Sequence, residues 1–298
     1  MTQPQLPLLP GRLPKGLTVG PVELSVSDLD RSVTFYRQVL GMTVLDQQAG
    51  AVTLGAGALP LLHLTERPGA RAAPAGASGL YHFAVLLPTR ADLGRWVRHV
   101  AGLGLRVGQG DHLVSEAFYL TDPDGHGIEV YRDRPRSEWQ WDLDQVRMAS
   151  DPIDIPGLLA EPGADQPFAE LPGGTVMGHV HLRVSNLAAT ETFYRQVLGF
   201  DVVARWPGAL FISVGGYHHH FGLNTWQSEG GAPAPEGSAR LERVHLQLPA
   251  ASDLEHLAQR LQAAGVVFTQ KSDSLEVHDP SANLLSFSLA GSAETQRL

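Results

Sequence analysis

The chain has 298 residues, enough for two domains of ordinary size with a core each. At 43% hydrophobic and 18% charged it has a globular composition, not a disordered one. A formal net charge of -9 without any Lys/Arg run argues against nucleic-acid binding, and the lack of cysteine excludes disulfides, thiolate ligands and Cys nucleophiles. His and carboxylate side chains are left to hold any metal, and there are 13 histidines.

The first stretch is interrupted by Pro4, Pro7, Pro10 and Pro14 and has neither the basic start nor the apolar run of a signal peptide. No segment reaches the ~20 apolar residues that cross a bilayer. A cytoplasmic protein without membrane association is the expectation. Alternation of Val22, Leu24 and Val26 then predicts a strand. Asp28 or Asp30 caps an amphipathic helix that carries Phe35, Tyr36, Val39 and Leu40 and ends at Gly41. Strands follow at 42–47, 51–55 and 59–64. A second unit of the same shape has a strand at 80–87, a helix at 90–102, and strands at 105–109, 113–120 and 127–132.

Residues 134–174 read as a linker, with Trp139 and Trp141 expected to cover a domain surface. Beyond it the pattern restarts. Phe193 to Gly199 repeats Phe35 to Gly41 without a change, at an offset of 158. Val180, Leu182 and Val184 alternate, Asn186 or Thr190 is the cap, and strands are predicted at 200–205, 209–214 and 217–223. The last unit has a strand at 241–248, a helix at 252–264, and strands near 266–270, 274–278 and 284–289. The tail after Ala290 reads as frayed. Four βαβββ modules result, in two tandem pairs. Residues 18–133 form a first domain (modules 18–66 and 79–133), and residues 175–290 a second (modules 175–227 and 240–290).

Tandem βαβββ modules with Leu29, Ser32, Phe35 and Tyr36 along the first helix resemble the vicinal oxygen chelate (glyoxalase-like) superfamily, over nearly the whole chain. The resemblance implies an α+β fold, but not which of the superfamily's chemistries is present. A local motif is more specific. Gly110-Asp111-His112, five residues, Phe118-Tyr119, two residues, Asp122-Pro123-Asp124-Gly125, three residues and Glu129 resembles the extradiol ring-cleavage signature in full. With Gly216-Tyr217-His218-His219-His220 in the second half, the arrangement is similar to bacterial catechol-2,3-dioxygenases.

In that superfamily two modules share one metal site, with ligands from their first and last strands. The first-strand slots hold Pro21, His82, His179 and Arg243 in modules 1 to 4, and the last-strand slots of modules 2 and 4 hold Glu129 and Ser286. Modules 1 and 4 are thus empty, and modules 2 and 3 supply His82, Glu129 and His179. Such a His/His/carboxylate face suits Fe(II), with Mn(II) as an alternative. The pairing requires modules 2 and 3 to meet, within one chain or between chains.

The resemblance also implies that His112 serves the bound oxygen and that Tyr119 hydrogen-bonds the substrate. A base would come from the His218–His220 run, with His220 preferred and His219 close behind. The implied partners are a small aromatic diol and O2, and a homo-oligomer is left open. Two other readings stand beside this one. One is a glyoxalase-like isomerase or lyase using Ni(II) or Zn(II) on Glu23, His63, His82 and Glu129. The other is a metal-free ligand-binding protein of the bleomycin-resistance kind.

Overall fold

The computed structural model describes residues 11–291. The expectations for the prolines up to residue 10 and for the tail beyond residue 291 lie outside the described residues. The first module comprises β1 (Thr18–Val26), α1 (Leu29–Phe35), β2 (Thr43–Gln48), β3 (Ala51–Ala56) and β4 (Leu59–Glu66). The second has β5 (Gly79–Leu86), α2 (Arg90–Gly102), β6 (Gly108–Asp111), β7 (Ser115–Thr121) and β8 (Gly127–Asp133). The third has β9 (Val176–Arg183), α3 (Leu187–Glu191), β10 (Asp201–Trp206), β11 (Ala209–Ser213) and β12 (Phe221–Asn224). The fourth has β13 (Leu241–Leu248), α4 (Ala251–Ala263), β14 (Phe268–Gln270), β15 (Ser274–His278) and β16 (Leu284–Leu289).

The caps form as their chemistry requires. Asp28 accepts a hydrogen bond from the Arg31 amide, and Asn186 does the same for Ala189. The repeated heptad departs from a plain α-helix. Tyr36–Leu40 and Thr192–Leu198 widen into π-helical turns before Gly41 and Gly199 stop them at φ 75° and 92°. Tyr36 donates to Asp122 at 2.9 Å and Tyr194 to Asp279 at 3.1 Å, so each repeated tyrosine ties its helix to the following module's Asp turn. Asp122 also accepts from the Asp124 and His126 amides. Its place in the signature is therefore to hold a turn.

Two eight-stranded sheets carry the fold, in the orders β14-β15-β16-β13-β1-β4-β3-β2 and β10-β11-β12-β9-β5-β8-β7-β6. Each sheet takes one module from either half of the chain: the first joins modules 1 and 4, the second modules 2 and 3. The tandem pairs read from the sequence are consequently not the sheet units. Modules 2 and 3 meet within one chain, through antiparallel pairing of β5 with β9. One face of each sheet is apolar and packs under the helices. Val22, Leu24, Phe83, Val85, Val180, Leu182, Val244 and Leu246 are fully buried there, each burial stabilising by about 1.5–3 kcal/mol. The opposite faces are largely polar.

The segment 134–174 is not a bare linker. It contains the two-strand pairing of Trp141–Asp142 with Gln145–Val146 and a short helix, Ile155–Leu159. Trp141 is exposed as expected, but Trp139 is buried in a cluster with Phe211 and Tyr217.

Candidate metal centre

Side chains alternate along a strand, so the polar face of the second sheet collects His82 and Ala84 from β5 and Glu129, Tyr131 and Asp133 from β8. Strand β9 adds His179, His181 and Arg183. The register then sets their spacing. His181 lies opposite His82, and Ala84 is paired with His179 on one side and Glu129 on the other. A methyl group at residue 84 leaves room above itself, and there the imidazole and the carboxylate converge.

His82 Nε2 is 2.9 Å from Glu129 Oε2, and His179 Nε2 is 3.2 Å from the same oxygen. One potential ligand atom from each of the three residues lies within 4.8 Å of the others, and all three residues are buried. Two ligand atoms bound at right angles, each about 2.1 Å from an ion, stand roughly 3 Å apart. The observed spacing matches that geometry.

The protonation chemistry fits a cation as well. Burial holds His82 below the usual imidazole value, so its lone pair is available. Burial by itself pushes the Glu129 carboxyl up. His179 and His82 outweigh that effect and keep it well below the ordinary carboxylate range. Despite its 2.9 Å separation from the carboxylate, His82 Nε2 makes no hydrogen bond of acceptable angle. A buried carboxylate next to an imidazole held neutral needs a positive partner, and a divalent ion supplies one.

The signature residues border this centre. The His112 Nδ1–H donates to the Ala149 carbonyl at 2.7 Å, which leaves Nε2 to accept from the Tyr119 hydroxyl at 2.6 Å. Tyr119 sits opposite Glu129 across β7 and β8. Burial, reinforced by the Glu129 charge, pushes its phenol well above the ordinary value, so it stays protonated. His82, Glu129, His112, Tyr119 and His219 all line one cavity of about 450 Å³.

The histidine run corrects the preference for His220. Residues 217–220 are not in the strand, which begins at Phe221. Gly215 and Gly216, both at positive φ, turn the chain just before them, so strand alternation does not apply. His220 lines a different cavity, between the sheets, and its Nδ1 lies 3.0 Å from the Ser213 hydroxyl. His219 faces the centre, with its ring centroid 4.1 Å from that of His179. His218 stands behind it. Its Nε2–H donates to Asp133 at 2.8 Å, and its Nδ1 is 2.8 Å from His219 Nδ1.

Other neighbours gave no signal in the sequence. Tyr131 packs on the His179 ring at 4.9 Å, and its hydroxyl pairs with that of Tyr217 at 2.8 Å. His181, Phe211, Trp206 and Trp226 form much of the cavity wall. The glyoxalase-like ligand set is not assembled. Glu23 and His63 lie in the other sheet, on neighbouring strands β1 and β4. There Glu23 pairs with His245 at 2.6 Å and with Arg243 at 3.3 Å. The first-strand slot of module 4 thus presents a guanidinium where module 2 presents His82.

The sequence model of the Glyoxalase/Bleomycin resistance protein/Dioxygenase superfamily matches residues 18–130 and again 176–286. A catechol-2,3-dioxygenase of Bacillus subtilis (strain 168) is 43% identical over 267 residues, covering 88% of this chain and 93% of that protein. Solved structures agree on the fold. A Bacillus subtilis protein provisionally described as a dioxygenase superposes with a TM-score of 0.68 at 12% identity, over 95% of this chain and 87% of the other. Glyoxalase I from Zea mays superposes with a TM-score of 0.55 at 16% identity, over 92% of each chain. With the family matched in both halves, this chain belongs to the Glyoxalase/Bleomycin resistance protein/Dioxygenase superfamily.

Proposed function

We propose that this chain is an extradiol ring-cleaving dioxygenase that opens a catechol-type ring with O2, using Fe(II), or alternatively Mn(II), on His82, Glu129 and His179. The observation that carries the reading is the convergence of those three side chains beside His112 and Tyr119. The 43% identity to a catechol-2,3-dioxygenase supports the substrate class. When bound, the ion supplies Lewis acidity toward a vicinal diol and a redox partner for O2.

The protein's own groups handle the protons. With Asp133 holding His218 as the Nε2–H tautomer, the His218 Nδ1 lone pair accepts from His219 Nδ1–H. The His219 Nε2 lone pair is then free to take a proton from the diol. Burial keeps His219 well below the usual imidazole range, so it stands deprotonated and ready. On the opposite wall, Tyr119 holds a proton it can share with a substrate oxygen, and His112 accepts from it or returns a proton to it. Phe211, Trp206 and Trp226 exclude water and stack an aromatic ring. Enzymatic ring opening is tested by purifying the protein anaerobically, measuring its metal and following O2 uptake with catechol. Stoichiometric iron or manganese with catechol-dependent uptake and a yellow semialdehyde product is expected. Loaded protein that consumes no O2 would defeat the proposal.

A further inference from the structure

Arg183 stands two residues beyond His181 and four beyond His179 on β9, on the face that lines the site cavity. It is half-buried, and burial pulls its guanidinium below the usual arginine value. Among the described residues no carboxylate lies within 4 Å of it, although it also borders a neighbouring cavity that contains Asp124 and Glu242. Its Nε is buried without a hydrogen-bond partner. Its charge lies over the face of Tyr81, 5.8 Å from the ring centroid. Arg90 and Arg132 share Glu116 and Arg240 pairs with Glu242, while Arg260, which has a similarly unpartnered Nε, donates to the Gly11 and Leu198 carbonyls.

Tyr81 links the centre to Arg183: its ring is 5.4 Å from that of His82 and 5.5 Å from that of Trp226, and the Arg183 guanidinium lies 5.8 Å from its centroid. Four residues of strand separate the backbones of His179 and Arg183 by about 13 Å. An aromatic ring, a one- or two-carbon arm and the arginine side chain together bridge such a span. We propose that Arg183 anchors an anionic substituent, so that the preferred substrates are catechols carrying a carboxylate on a short arm. This deepens the dioxygenase reading and rests on it for the diol. A planar guanidinium with unused donors takes a carboxylate in a two-point contact, and the apolar surroundings strengthen the pair.

The test compares 3,4-dihydroxyphenylacetate with its methyl ester, which keeps the size and removes the charge. In the wild type kcat/KM favours the acid by on the order of ten- to a hundredfold, the range of one charge-assisted contact. The gain falls in KM and not in kcat. Arg183→Gln brings the acid-to-ester ratio to about one, and Arg183→Lys keeps part of it. A second arm needs no turnover: 4-hydroxyphenylacetate and its methyl ester are titrated against the fluorescence of Trp206 and Trp226. Tighter binding of the acid that disappears in Arg183→Gln supports the anchor even if no diol is cleaved, in which case the dioxygenase reading alone fails. Equal handling of acid and ester by the wild type, or a preference that survives in Arg183→Gln, overturns the anchor.

Discussion

Glu129 is the residue on which the centre turns, because one of its oxygens faces both imidazoles, at 2.9 and 3.2 Å. Replacing it with alanine removes one of the three proposed ligands and the single negative charge of the set. Loss of a group that only orients a ligand costs about 10–100-fold in metal affinity, and loss of the ligand itself costs at least the upper end of that range. On the proposed assignment Glu129→Ala therefore loses metal by more than about 100-fold in affinity, and ring cleavage goes with it. Glu129→Gln retains the shape and a carbonyl oxygen but not the charge, so it falls between the two. The assay is metal content by elemental analysis after anaerobic loading and dialysis, alongside O2 uptake with catechol. Circular dichroism controls for folding. A folded Glu129→Ala protein that keeps one iron per chain and cleaves catechol would falsify the assignment of this residue.

His219→Asn lowers kcat by roughly 10²–10⁴, the range of a lost general base, whereas His220→Asn changes kcat by less than about tenfold; equal losses in steady-state kinetics contradict the orientation found here. Tyr119→Phe keeps the ring and removes the donor, lowering kcat by about 10²–10³ with little change in thermal midpoint. Gly178→Ala puts a methyl carbon 1.8 Å from the Tyr131 hydroxyl, so the tyrosine that packs on His179 must move. A loss of about 1–3 kcal/mol in denaturant unfolding and weaker metal retention are expected. Burial pushes His63 down to about 4, so between the unfolded value near 6.5 and that value the unfolded chain binds the extra proton. The stability this residue contributes is present above pH 6.5 and is lost as pH falls toward 4, by up to about 3 kcal/mol. A His63→Asn protein shows a shallower fall in its urea midpoint over that interval.

The convergence of His82, Glu129 and His179 was legible in the sequence because it depends on position within repeated modules. Pro21, Arg243 and Ser286 stand in ligand slots but cannot serve well, which left modules 2 and 3 to share the work. The strands and helix caps followed from alternation and from Asp28 and Asn186. What the sequence hid depends on chain geometry that breaks a period. The turn at Gly215 and Gly216 delays the strand to Phe221, and the choice between His219 and His220 rests on that delay. The π-helical turns share their apolar stripe with an α-helix and differ in winding alone. Contacts between distant modules, such as His218 with Asp133 or Tyr131 with Tyr217, have no local signature.

The interleaving of modules gives the molecule an unusual wholeness. Severing it between residues 134 and 174 yields a front fragment with His82 and Glu129 and a rear fragment with His179, each owning half of both sheets. Neither fragment can bury its β5 or β9 edge alone, so co-expressed fragments are driven to reunite, and capture of the proposed metal reports on their reunion. In the intact chain the last module must return to the first before the first sheet is complete. Such distant pairings slow folding and tie both halves into one cooperative unit.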